Sequence, residues 1–349
     1  MLNRIKTKLK KHFFPLYLIN STQGKALVLI YTNNILFKSV WENFIYDLEK
    51  YILFSTTINE PQDFENLKSR ITACYHVIEK GLSLKNPRLG FGKQIIDALL
   101  KHLSLYVQFA YPQDNEQFVS ALMTLEAYCD FHEKRNYDVF DLRNILHTFS
   151  KTDSNKYVSG GTITVCKQEI LDSINKNFET LALKRFSIRN FSEGSIDIGL
   201  ILKAIKIAQK SPSVCNRQSS FVYIIESEEL KTKALNYQNG NRGFGHLADK
   251  ILILTSNLRA FYSIEERNQA FIDGGIFGMS LVYALHSLGL GTCTLNWSAS
   301  KQRDIELRKA IAIRENEVVI FMIAVGLLPE NFDVPCSQRK NLEDVFQII

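Results

Sequence analysis

The chain has 349 residues, 46% hydrophobic and 22% charged, with 42 basic against 36 acidic side chains and a net charge of +6. At roughly 100–200 residues per domain this is a two-domain length able to bury a sizeable core. It excludes a disordered, collagen-like or low-complexity protein and lacks the basic excess of a nucleic-acid-binding protein. The six cysteines, Cys74, Cys129, Cys166, Cys215, Cys293 and Cys336, form neither a CxxC pair nor a zinc-spaced set with histidine. They read as reduced thiols rather than a disulfide framework, and no metal site is expected.

The first residues carry a basic run, Arg4, Lys6, Lys8, Lys10 and Lys11, followed by Phe13, Phe14 and Leu16. Peripheral contact with an anionic membrane surface is one reading; a solvated terminus is the ordinary one and is preferred. No apolar run reaches the length of about 18 residues that a membrane helix needs, and the start has no secretory h-region or A-x-A site, so a cytoplasmic location is expected. Residues 25–37 read as a hairpin around Asn33-Asn34. Helical spacing of apolar residues predicts helices over 40–54, 64–82 (Leu67, Ile71, Cys74, Tyr75 and Ile78 on one side, Gly81 at the end), 93–110 and 115–133.

Residues 150–161 are polar, without periodicity, and close on two glycines, a linker signature. Beyond them, helices predicted at 170–183, 198–209, 269–288 and 305–310 alternate with short apolar strands at 221–225, 251–255, 293–297 and 317–326. The expected division is a mainly helical accessory domain over 1–150, a linker over 151–165 and an α+β domain over 166–349, with a central sheet flanked by helices.

No G-x-G-x-x-G follows a strand, and there is no P-loop, H-E-x-x-H or G-x-S-x-G. Three polar segments stand out. Arg185, Ser187 and Arg189 alternate in an extended stretch, so two guanidinia and a hydroxyl face one way and suit a phosphate; alone, the segment reads more readily as an exposed basic turn. Residues 211–218, Ser-Pro-Ser-Val-Cys-Asn-Arg-Gln, concentrate hydrogen-bonding groups beyond a helix, in the manner of either a ligand loop or a capping loop. Residues 288–297, Leu-Gly-Leu-Gly-Thr-Cys-Thr-Leu-Asn-Trp, permit close backbone approach or a helix C-cap. A fourth cluster, His76, Glu79, Lys80 and Arg88, has the density of a recognition element, against the plainer reading of a helix end with ion pairs.

In this order, R-x-S-x-R, S-P-S-x-x-N-x-Q, L-G-L-G and a basic pair Arg339-Lys340 before Leu342-Glu343-Asp344-Val345, the segments resemble the nitroreductase family of FMN-dependent oxidoreductases. The resemblance runs from about residue 166 to the C-terminus. It implies a nitroreductase-like mixed central sheet flanked by helices, FMN as cofactor, NADH or NADPH as reductant, and ping-pong electron transfer through flavin N5 to a small-molecule acceptor. It also implies a homodimer with the flavin at the interface. Arg185, Ser187, Arg189 and Arg339 would hold the phosphate and the pyrimidine edge. Pro212, Ser213 and Asn216 would come from the partner subunit, with Gln218 holding their loop. Asn241 would meet the isoalloxazine, and the backbone of Asn296 and Trp297 would face N5 and O4. No catalytic side chain is implied. Long nitroreductase-like proteins of this kind are associated with surface-polysaccharide synthesis. Two departures stand out: Ser219-Ser220 follows Gln218 where the family often has an aromatic, and Trp297 replaces a small residue. The alternative reading is a flavin-binding or flavin-free interaction protein that kept the fold without turnover.

Overall fold

The computed structural model describes residues 64–149, 158–261 and 264–349, and the helical positions Val40, Trp41, Phe44, Ile45 and Leu48. The basic run at 4–11 and the hairpin expected at 25–37 lie outside the described residues. The chain divides into two compact units, residues 1–60 with 262–267, and residues 61–261 with 268–349; the second holds the sheets and the helices packed on them.

The helical part of that second unit comprises α1 (Phe64–Leu82), α2 (Lys93–Gln108), α3 (Glu116–Glu133) and α4 (Phe140–Leu146). Leu67, Ile71, Tyr75 and Ile78 recur on one face of α1 and are all buried, as their spacing predicts. Gly81 lies in the last turn of the helix, one residue before its end at Leu82. A Cβ there would stand 2.1 Å from Phe91 Cε2, so the glycine lies where the Phe91 ring crosses α1. Asn115 caps α3 by accepting from the Gln117 amide. Tyr106 stacks on Phe118 at 4.9 Å and donates its hydroxyl to the Pro112 carbonyl, which joins α2 to α3.

The chain then enters β1 (Thr162–Cys166) and the helices α5 (Lys167–Ile174) and α6 (Phe178–Leu183). Two of these differ from the sequence expectation. Thr162–Val165, the end of the expected linker, is strand because it pairs antiparallel with β6 (Asn331–Pro335), a distant partner that periodicity cannot reveal. The single helix expected at 170–183 is two: Asn177 accepts from Thr180 N and starts a new cap, which turns the chain between them.

Next come α7 (Ile198–Ala208), β2 (Ser220–Ile225), α8 (Glu228–Asn236), β3 (Lys250–Asn257), α9 (Gln269–Ser287), β4 (Leu290–Asn296), α10 (Lys301–Ile311) and β5 (Glu317–Leu327). The strands form a sheet in the order β2-β3-β5-β4, and every pairing among the described strands is antiparallel. The sheet is covered on both faces, so β3 and β5 read as apolar runs instead of alternating. Ile251 and Ile253 enter one core with Phe191, Phe244 and Leu307, while Leu252 enters the other with Ile201, Leu281 and Leu285. The fold is α+β, with helices on the sheet and a helical segment before it.

Helix α9 approaches the sheet through glycines. A Cβ on Gly278 would lie 2.1 Å from Phe321 Cζ and 2.8 Å from Leu254 Cδ2; one on Gly274 would lie 2.6 Å from Ile320 Cγ1. Gly278→Val is therefore expected to destabilise the protein by about 1–3 kcal/mol in urea unfolding, the usual cost of overpacking. Unchanged stability would mean that the Phe321 ring moves aside freely. Among the described residues, no helix is long and apolar enough to cross a membrane.

Candidate functional site

After α6 the chain runs extended along the sheet edge. Ile188 N donates to Thr292 O of β4 at 2.8 Å, and Ser192 N to Leu327 O of β5 at 3.0 Å. Phe191 anchors the segment by lying over Gly326, where a Cβ would stand 2.4 Å from the Phe191 ring. With Ile188 and Phe191 buried inward, Arg185 and Ser187 line a cleft of about 810 Å³.

Arg339 reaches the same cleft from the far end of the chain. Beyond β6, Cys336 N donates to Gly161 O, Gln338 Oε1 accepts from Ser159 N and Oγ, and Asn341 Nδ2 pairs with Glu116 of α3. These contacts lay the C-terminal segment across the helical part, and Ser337 and Arg339 join the cleft wall. Arg339 donates to the carbonyl of Ser337.

Among the described residues, no carboxylate lies within ion-pair distance of Arg185, Arg189, Arg339 or Lys80. Burial pushes the Arg185 guanidinium below its ordinary pKa, and the charge of Arg339 pushes the same way. Burial likewise lowers Lys80, with the charge of Arg189 adding to it. Cations gathered without counter-ions repel one another, and an anion bound among them relieves the repulsion. Behind Arg185, burial and the Arg185 charge hold the His286 imidazole down at about 4; its Nε2 is buried and has no partner.

The structure distributes the sequence-predicted residues over several places. Arg185, Ser187 and Arg339 share the large cleft. Arg189, expected to face the same way, is buried: its guanidinium stands 5.7 Å over the Phe244 ring and donates to Ser187 O, and its Nε has no partner. Pro212, Ser213 and Gln218 line a separate cavity of about 100 Å³ with Asp273 and Phe277 of α9. Their loop is held by Val214 N donating to Asp273 and Gln218 N donating to Ser213 Oγ, with Cys215, Asn216 and Gln218 all at positive φ. Non-glycine residues in that region store strain, a pattern found at binding loops.

Asn241 spends its amide nitrogen on the carbonyls of Leu235 and Gln238, closing the turn after α8. Gln238 in turn donates to Asn296 O, so the turn is tied to the end of β4. Asn296 Nδ2 donates to Ser298 Oγ, and Trp297 Nε1 to Asp304 of α10 at 2.9 Å. Of the N-terminal cluster, His76 lines the large cleft, Glu79 is buried behind it and Arg88 is exposed elsewhere. Thr72, Tyr75, Met279, Tyr283 and Gln338 also line the cleft without having been singled out from sequence. The i, i+4 spacing of Met279 and Tyr283 was the available signal.

The half-buried Arg185, the exposed Arg339 and the Ser187 hydroxyl suit a phosphate monoester joined to a polar, acceptor-rich ring. FMN has that chemistry, and the residues present fit it.

The nitroreductase family model matches residues 182–241 and 232–327. Among solved structures, a nitroreductase family protein from Clostridium novyi NT is 22% identical, with 44% of this chain and 87% of that one covered and a TM-score of 0.41. The Streptococcus pneumoniae TIGR4 nitroreductase family protein is 18% identical, covering 50% of this chain and 100% of its own at 0.43. An FMN-dependent nitroreductase from Clostridium difficile R20291 is 19% identical, covering 46% and 91% at 0.38. No curated protein matches the chain. The match to the nitroreductase family model lies within the C-terminal half of this chain, over residues 182–327, and is preceded by a helical segment that the family model does not reach.

Proposed function

We propose that the protein is an FMN-dependent oxidoreductase driven by NADH or NADPH, acting in a ping-pong cycle on a small-molecule acceptor. The observation that carries this reading is the counter-ion-free cleft of Arg185, Ser187 and Arg339 inside and beside the nitroreductase-family domain. Arg185 and Arg339 hold the phosphate, and Ser187 adds a hydroxyl donor. Arg189, buried and bonded to Ser187 O, acts on the pyrimidine edge through its charge, which favours the reduced, more negative state. When bound, FMN supplies the two-electron transfer at N5. The proposal places the helical segment before residue 150 as an accessory to this site, the location in the cytoplasm and the acceptor in surface-polysaccharide synthesis.

The homodimer belongs to the same proposal. Phe271, Ile272, Ile276 and Met279 form an exposed apolar face of α9, and space beside Gly275 is open. Apolar surface of that kind favours burial against a second copy. Within one chain the 212–218 loop lines a different cavity from Arg185 and Arg339; a second copy brings Pro212, Ser213 and Asn216 to the flavin. Ile276→Glu is expected to convert the dimer to a monomer in light-scattering chromatography and to lose flavin at the same time. A monomeric wild type would sink the two-chain site.

The test of function is the absorption spectrum of the purified full chain, before and after anaerobic NADH or NADPH. Flavin bands that bleach support the oxidoreductase. Bands that persist support the second reading, a flavin holder without turnover. Bands that stay absent after adding FMN refute both.

A further inference from the structure

We propose that helix α1 contributes an anion-binding histidine to the cleft: His76, held from behind by the buried carboxylate of Glu79, donates from Nε2 to the phosphate of the cofactor. The inference rests on the FMN reading above and extends it to a segment that the family model does not match.

His76 stands on the same wall as Thr72 and Tyr75, one turn apart on α1, and that wall bounds the cleft lined by Arg185, Ser187 and Arg339. The His76 side chain is 37% exposed, whereas Glu79 is fully buried. Nδ1 of His76 lies 3.1 Å from Glu79 Oε2. That pairing orients the ring and leaves Nε2 as the nitrogen available to the cleft.

Glu79 explains why the ring is fixed in this way. Its Oε1 is buried and has no partner, so the side chain's hydrogen bond is the one that Oε2 makes with His76. Its charge reaches its neighbours: burial first, and Glu79 second, push the Tyr75 hydroxyl up to about 12 and the Cys336 thiol up to about 11. A ring bonded to the Glu79 carboxyl group through Nδ1 turns Nε2 toward an anion on its other side. The pair as a whole adds a donor to the cleft without adding net charge, while Arg185 and Arg339 already match the charge of about −2 on a phosphate monoester.

The experiment compares FMN with riboflavin, which lacks the phosphate. Full-length apoprotein is titrated with each flavin by fluorescence quenching, for wild type, His76→Ala, His76→Phe and Glu79→Gln. The expected result is an FMN affinity at least about tenfold weaker in both His76 variants, the size of one charged hydrogen bond, with riboflavin affinity unchanged. Glu79→Gln should show a smaller loss for FMN alone. Wild-type FMN affinity in both His76 variants would overturn the proposal. So would equal losses for FMN and riboflavin, which would make His76 only part of the wall. His76→Phe fills the same space and carries the measurement if the alanine variant does not fold. A wild type that binds neither flavin would overturn the FMN reading itself, which separates the two failures.

Discussion

Arg185→Ala should weaken FMN binding by about tenfold to a hundredfold, and Arg339→Ala by more than tenfold, because a charged hydrogen bond in a partly dry site is worth about 1.5–3 kcal/mol. The two are not equivalent. Arg185 is half-buried and its guanidinium is pushed down by burial, with Arg339 adding to that, so it gains most when an anion arrives. Arg339 is exposed and delivered by the C-terminal segment, whose register depends on Gln338 reaching Ser159 and Asn341 reaching Glu116 of α3. The double variant should lose FMN beyond detection while keeping its circular dichroism. Both affinities should also fall with rising salt, less steeply for the more buried Arg185. Titration by flavin fluorescence checks each statement, and wild-type affinity in Arg185→Ala would remove that residue from the phosphate site.

The second large effect is acid destabilisation through His286. In the folded protein its pKa is held down at about 4, first by burial and then by the Arg185 charge, whereas an unfolded histidine titrates near about 6.5. Between those two values the unfolded chain binds more protons than the folded one, so stability rises with pH. The contribution is complete above about pH 6.5, declines as the pH falls, and is gone by about pH 4, for a total of about 3 kcal/mol. Urea unfolding at intervals across that range should show the slope, and His286→Phe should remove it. Because the Arg185 charge helps to hold His286 down, a phosphate bound at Arg185 offsets that charge, and FMN added in excess should make the wild-type slope shallower. A slope untouched by His286→Phe would assign the acid sensitivity to another group.

Several features of this protein follow from sequence alone. The buried face of α1 was legible because Leu67, Ile71, Tyr75 and Ile78 repeat at a helical period, and period is local information. The strand cores of β3 and β5 were legible as short apolar runs. The nitroreductase resemblance was legible because its motifs are short and ordered along the chain, and the family model matches the same region.

Tertiary structure decided the rest. Alternation along 185–189 treats Arg185, Ser187 and Arg189 alike, yet packing against Phe244 buries Arg189 while the other two face the cleft. Strand β1 exists only because β6, some 170 residues later, supplies its hydrogen bonds. The amide of Asn241 is a ligand group by type, but the carbonyls of Leu235 and Gln238 claim it locally. Most of all, the meeting of His76, Arg185 and Arg339 joins three regions of the chain. Local propensity specifies each segment's own conformation; which charged side chains share one cleft depends on long-range packing, and that is where the candidate chemistry of this protein is assembled.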